Sequence, residues 1–218
     1  AAIARVVSDA IVNAHLDTMR RIEVEYDLLP RESEILHLRF WASAFEMLKQ
    51  RKAIYLETGG KNRGCWVMPA HLFQDDAPPQ AKRGKADTSS RQDAEGDAEE
   101  DAGDGDGSKV IVRSDGTVTY VGKDIAYQLW KFGLLDKDFH YVRWRTYDDG
   151  RVLWASAASG GEEAAPSFGR GSKVYNVIDV RQSYLQDVVR AGLRSLGFGE
   201  QARDSIHFSY EMVALTPR

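Results

Sequence analysis

The sequence has 218 residues, 43% of them apolar, and a net charge of −4, enough for one sizeable core with or without an insertion. No apolar run approaches the eighteen or more residues of a membrane span and no basic-then-apolar leader opens the chain, so a cytoplasmic location is expected. Cys65 is the sole cysteine, which excludes an intrachain disulfide, and the histidines at 15, 37, 71, 140 and 207 have no metal-ligand spacing.

In chain order, residues 3–19 place Ile3, Val6, Val7, Ala10, Ile11 and Ala14 at helical spacing. RIEVEYDLLP reads as a short extended stretch closed by Pro30. From Glu32 to Lys52 the stripe Ile35, Leu38, Ala42, Phe45, Leu48 predicts one helix, with acids near its start and bases near its end. AIYLET and CWVM, joined by GGKNRG, predict a hairpin, with Cys65 as a core residue of its second strand. GGKNRGC is not a phosphate loop, because it lacks Gly-Lys-Ser/Thr and leads into a strand rather than a helix.

Residues 75–108 carry eleven acidic against four basic side chains, a net −7 that leaves +3 for the remainder of a −4 chain. With almost no large apolar residue, this segment is expected to be a disordered insertion. It would join the first hairpin to a second, KVIVR and TVTY about a turn at Asp115 and Gly116. A second, flexible insertion is expected over 155–172. VYNVID, 174–179, predicts a strand covered on both faces. SYLQDVVRAGLRSLGFG predicts a helix with Gly197 capping its end, and a last strand runs from about His207. Strand, helix, strand is a parallel crossover unit, so the fold class is α/β. The implied organisation is 1–74 as a helical and hairpin part, 75–108 as insertion, and 109–218 as the second half of the fold.

Two junctions draw attention. If TVTY is a strand, Tyr120 and Asp124 stand at a strand's end and a helix's first turn, where open α/β sheets collect ligands. A carboxylate there suits a guanidinium; a plain helix-start acid beside a core tyrosine is the alternative. VIDVRQSYLQ repeats the situation, with Asp179 ending a strand and Gln182 opening the next helix as both donor and acceptor.

The string VRSDGTVTYVGKDIAYQLWKF, with VYNVIDVRQSYLQDVVRAGLRSLGF and the earlier RIEVEYDLLPRESEILHLRFWASAFEMLKQRKAIYLETGGKNRGCWVM, resembles the catalytic domain of arginyl-tRNA synthetases, a class I family. That resemblance implies a Rossmann-like domain with a parallel sheet, inserted β-hairpins and a helical N-terminal part. It implies that Tyr120, Asp124 and Gln182 hold substrate arginine, that Asp179 and Ser183 lie toward the nucleotide, and that no side chain here acts as a catalytic acid or base. Ser183, Tyr184 and Leu185 stand where family members carry histidines. Substrates of the family are arginine, ATP with Mg2+, and tRNA(Arg); no membrane is involved and a monomer is expected. Neither the His-x-Gly-His nor the Lys-Met-Ser-Lys-Ser signature is found, so the chain resembles an internal fragment expected not to activate arginine alone. The competing reading is a non-catalytic α/β module for a small cationic ligand or a protein partner. A third is a synthetase of the same class for another amino acid.

Overall fold

The computed structural model describes residues 2–37, 39–73 and 107–211. In chain order the elements are α1 (Ala2–Arg20), β1 (Leu28–Leu29), α2 (Glu32–His37), α3 (Phe40–Gln50), β2 (Tyr55–Leu56), β3 (Trp66–Met68), β4 (Lys109–Val112) and α4 (Tyr120–Lys131). They continue as β5 (His140–Thr146), β6 (Val152–Ala157), β7 (Val174–Asp179), α5 (Ser183–Ser195), α6 (Gly199–Asp204) and β8 (Ser205–Tyr210). Contacts divide the chain into two units, residues 1–34 with 139–166 and residues 35–138 with 167–218. No helix among the described residues is long and apolar enough to cross a membrane.

In the first unit β5 and β6 form an antiparallel hairpin, and β1 adds to β6 in parallel. The turn closes with Tyr147 N–H donating to Arg151 O at 2.8 Å and Gly150 at φ +88°. The helix α1 forms where its spacing predicts, but the predicted stripe is not the face that packs: Ile3, Val6, Val7 and Ile11 are all more than half exposed. Its ties are polar. Asn13 accepts from Trp144 Nε1 at 3.2 Å and Asp17 from Arg145 at 2.8 Å, while Leu16 is buried between them in sequence. Ala155 and Ser156, the first residues of the expected second insertion, are buried in β6, and Glu162 accepts from Arg143 N–H at 2.8 Å.

In the second unit the predicted helix over 32–52 is two helices. Arg39 adopts φ +59°, a left-handed conformation that stops the i→i−4 ladder and opens α3. The break rotates the stripe: Phe40, Trp41, Ala44 and Leu48 are buried, whereas Ala42 is exposed and Phe45 half-buried. The first hairpin forms as β2 and β3, with Cys65 partly exposed just before β3. β4 pairs antiparallel with β3, so the three strands make their own sheet. The second hairpin is reduced to one bridge, Val112 with Val118, around a turn in which Asp115 Oδ1 accepts from Thr117 N–H at 2.8 Å. That turn holds the Asp115 carboxyl below the usual carboxylate range.

The crossover forms as predicted: β7, α5, α6 and β8, with β7 and β8 parallel and in register from Val174 opposite Ser205. Gly197, at φ +93°, ends α5 in a Schellman cap, its N–H donating to Arg194 O and that of Phe198 to Leu193 O. Covering on both faces does not hold. Among the described residues Tyr175 and Val177 are more than half exposed, as are Phe208 and Tyr210 opposite. α4 lies in the core, with Val121, Ile125 and Leu129 fully buried and Gly192 of α5 letting Ile125 approach. The expected insertion 75–108 lies almost wholly outside the described residues; its last residue, Ser108, is buried.

Candidate functional site

Tyr120 is not at a strand's end. Thr119 is the N-cap of α4: its hydroxyl accepts from Gly122 N–H at 3.5 Å and lies 3.1 Å from the carbonyls of Val110 and Ile111. Tyr120 is therefore the first residue of α4 and is 53% exposed, with Lys123 Nζ 4.9 Å from the centre of its ring. Asp124 is exposed and sits one turn further in. Since Thr119 supplies the cap, capping is not what Asp124 does.

Helix geometry gives Asp124 its neighbours. At about 100° per residue, positions 120, 124, 128 and 131 share one stripe. The lower half of that stripe is tied to the parallel pair: Lys131 Nζ donates to Asn176 Oδ1 of β7 at 2.9 Å, and Gln128 Nε2 donates to Ser205 Oγ of β8 at 2.9 Å. Gly171, just before β7, donates its N–H to Lys131 O at 2.9 Å. The C-terminal end of α4 thus lies beside the N-terminal half of β7.

The buried part of this stripe is electrostatically tense. Burial holds the Lys131 ammonium below the usual lysine range, and the charge of Asp124 pulls it back up. Lys131 Nζ also sits 4.7 Å from the centre of the Tyr127 ring, whose hydroxyl burial pushes above its ordinary value. Sequence reading missed Gln128, Lys131 and Asn176. The available signal was the spacing of Gln128 and Lys131 from Asp124, four and seven residues on.

At the end of β7 the chain turns through Val180–Gln182 into α5. Asp179 is buried and its carboxylate accepts from Arg181 N–H at 2.8 Å and from both sides of the guanidinium at 2.9 Å. That fork holds the Asp179 carboxyl below the usual carboxylate range. Gln182 precedes the first turn of α5, exposed and with no capping hydrogen bond from its side chain. The Ser183 hydroxyl donates to Val180 O at 2.6 Å. The predicted residues thus fall into two groups, Tyr120 with Asp124 on α4, and Asp179, Gln182 and Ser183 at the β7–α5 junction.

No protein-family model matches the chain. It is 32% identical over 210 residues to the arginine--tRNA ligase of Pyrococcus furiosus, covering 96% of this chain and 28% of that protein. The arginine--tRNA ligase of Deinococcus radiodurans is 32% identical over 211 residues, with 97% and 30% covered. The solved arginyl-tRNA synthetase of Thermus thermophilus matches 95% of this chain and 30% of its own, with a TM-score of 0.71 and 29% identity. These matches bear out the resemblance to the arginyl-tRNA synthetases over nearly the whole of this chain. A Campylobacter jejuni structure, at 15% identity and a TM-score of 0.57, shares the fold. The chain spans 28 to 30% of the length of the relatives named here. Its α/β fold, with a parallel pair, a crossover and an inserted antiparallel sheet, is that of the family.

Proposed function

We propose that this chain supplies the arginine-recognition part of an arginine--tRNA ligase. Asp124 faces the guanidinium, Tyr120 offers a flat face and a hydroxyl, and Gln182 meets the amino-acid end of the substrate. Mg2+-bound ATP and tRNA(Arg) are the other substrates of the complete reaction, in which arginine is adenylated and then passed to the terminal ribose. Such chemistry relies on positioning and charge neutralisation rather than on a side-chain base.

The observation that carries this reading is the single polar stripe of α4. Its lower half is fixed to β7 and β8 through Lys131 and Gln128, while Asp124 further up the helix is exposed, as is Gln182 at the β7–α5 junction. Asp179 and Ser183 would reach a nucleotide only by exchanging present partners, the Arg181 fork and the Val180 carbonyl. Calorimetric titration with arginine, lysine and citrulline tests the proposal. Arginine should bind and citrulline, which keeps the shape without the charge, should not. Equal binding of citrulline would remove the carboxylate–guanidinium pair from the reading.

A further inference from the structure

A cavity of about 390 Å3 opens in the second unit at the C-terminal end of α4, in the size range of small-ligand sites. Tyr120 opens that helix at its other end. One wall of the cavity is aromatic. Trp130 is buried, stacked on Tyr127 at 5.2 Å and with its Nε1 donating to Asp138 Oδ1 at 2.8 Å, so its ring is fixed in place. Half-buried Phe168, from the later part of the expected second insertion, lines the same cavity.

Arg170 lines it too, and its backbone is strained. At φ +55° it holds a left-handed conformation that an arginine adopts at a cost, the kind of strain that collects at ligand sites. The surroundings impose it. A Cβ on Gly133 would lie 2.5 Å from Arg170 Cγ, one on Gly169 would lie 2.9 Å from Trp130 O, and Gly171 donates its N–H to Lys131 O at 2.9 Å. The side chains of Arg170, Lys137 and Asp136 are exposed and have no hydrogen bond or ion pair among the described residues, whereas Asp138 is engaged by Trp130. Beside the aromatic wall the lining therefore offers charge of both signs.

We infer that this cavity takes an amino-acid zwitterion with a flat apolar side chain, its carboxylate on Arg170, its ammonium at Asp136 and its ring against Trp130 and Phe168. A guanidinium fork matches a carboxylate, and aromatic rings attract one another offset or edge to face. A simple anion would leave its charge beside Asp136, and a cationic side chain would sit near Arg170 and Lys137, so a zwitterion with an uncharged side chain answers the whole lining. Arginine is excluded here on charge, and the site differs from the one built on Asp124.

Calorimetric titration of the chain with L-phenylalanine, 3-phenylpropanoate, phenethylamine and L-alanine tests this, since each of the last three lacks one of the three contacts. L-Phenylalanine should bind at least about tenfold tighter than any of them. Arg170→Gly keeps the backbone conformation and removes the guanidinium; it should raise the denaturant midpoint and weaken L-phenylalanine about tenfold. Asp136→Asn should weaken L-phenylalanine and leave 3-phenylpropanoate unchanged. Arginine titration should be the same in both variants, which separates this site from the arginine site. Absence of L-phenylalanine binding at millimolar concentration would overturn the inference, as would 3-phenylpropanoate or phenethylamine binding as tightly. So would undiminished binding by Arg170→Gly, whose raised midpoint shows that it folds.

Discussion

Asp124 and Lys131 show how one residue's setting decides its chemistry. Both are charged and both lie on the same stripe of α4, yet one is exposed and the other is half-buried against Tyr127 and Asn176. Because burial lowers the Lys131 pKa below its ordinary 10.5, the folded chain gives up a proton that the unfolded chain still holds in the interval below that value. Stability therefore rises with pH across that interval. Lys131→Met should flatten the rise, measured as the denaturant midpoint at several pH values up to 10. Above its ordinary value of 10.0, the raised Tyr127 hydroxyl acts in the opposite sense, so the reading stays below it. An unchanged slope in the variant would remove the account of Lys131. Asp124 and Tyr120 were legible in the sequence by type and spacing, whereas Lys131 was not, because only its hydrogen bond to a strand 45 residues away gives it meaning.

At the scale of elements, α4 is held by close approach as well as by polar ties. A Cβ on Gly122 would lie 2.9 Å from Val118 Cγ1 and 3.1 Å from both Ile111 O and the Trp41 ring. Helix propensity alone would favour alanine there by about 1 kcal/mol, but overpacking of a closed core costs about 1 to 3 kcal/mol. Gly122→Ala should therefore destabilise the fold, read as a lower denaturant midpoint with the slope unchanged; a raised midpoint would mean that Val118 and Trp41 yield freely. Elements with strong local signals were readable: the α5 helix with its Gly197 cap, the β2–β3 hairpin and the β7–β8 crossover all form where the pattern puts them. The break at Arg39 was not, since a left-handed arginine carries no compositional mark, and the apolar residues on both sides of it continue a plausible stripe. TVTY reads as a strand because threonine and valine favour one, but Thr119 is used to cap α4 and the ladder ends at the Val112–Val118 bridge.

At the scale of the whole molecule, the α/β class follows from the order of patterns, but the division of the described residues' strands into three separate sheets does not. The pairing of β1 with β6 joins residues 126 positions apart, and a separation of that size leaves no trace in local periodicity. Composition did mark 75–108 as unlike its surroundings, and residues 74–106 lie outside those described. The ties of α4 depend on this long-range order: α4 and β7 are separated by the segment that builds β5 and β6, yet Lys131 of one donates to Asn176 of the other, 45 residues on.

The most direct test replaces Asp124 with asparagine, which keeps the shape of the side chain and removes its charge. If Asp124 holds the guanidinium, Asp124→Asn should cost about 2 kcal/mol or more in arginine affinity by calorimetry, roughly thirtyfold, with the unfolding midpoint unchanged. Arginine binding as tight as that of the unaltered chain would contradict the account.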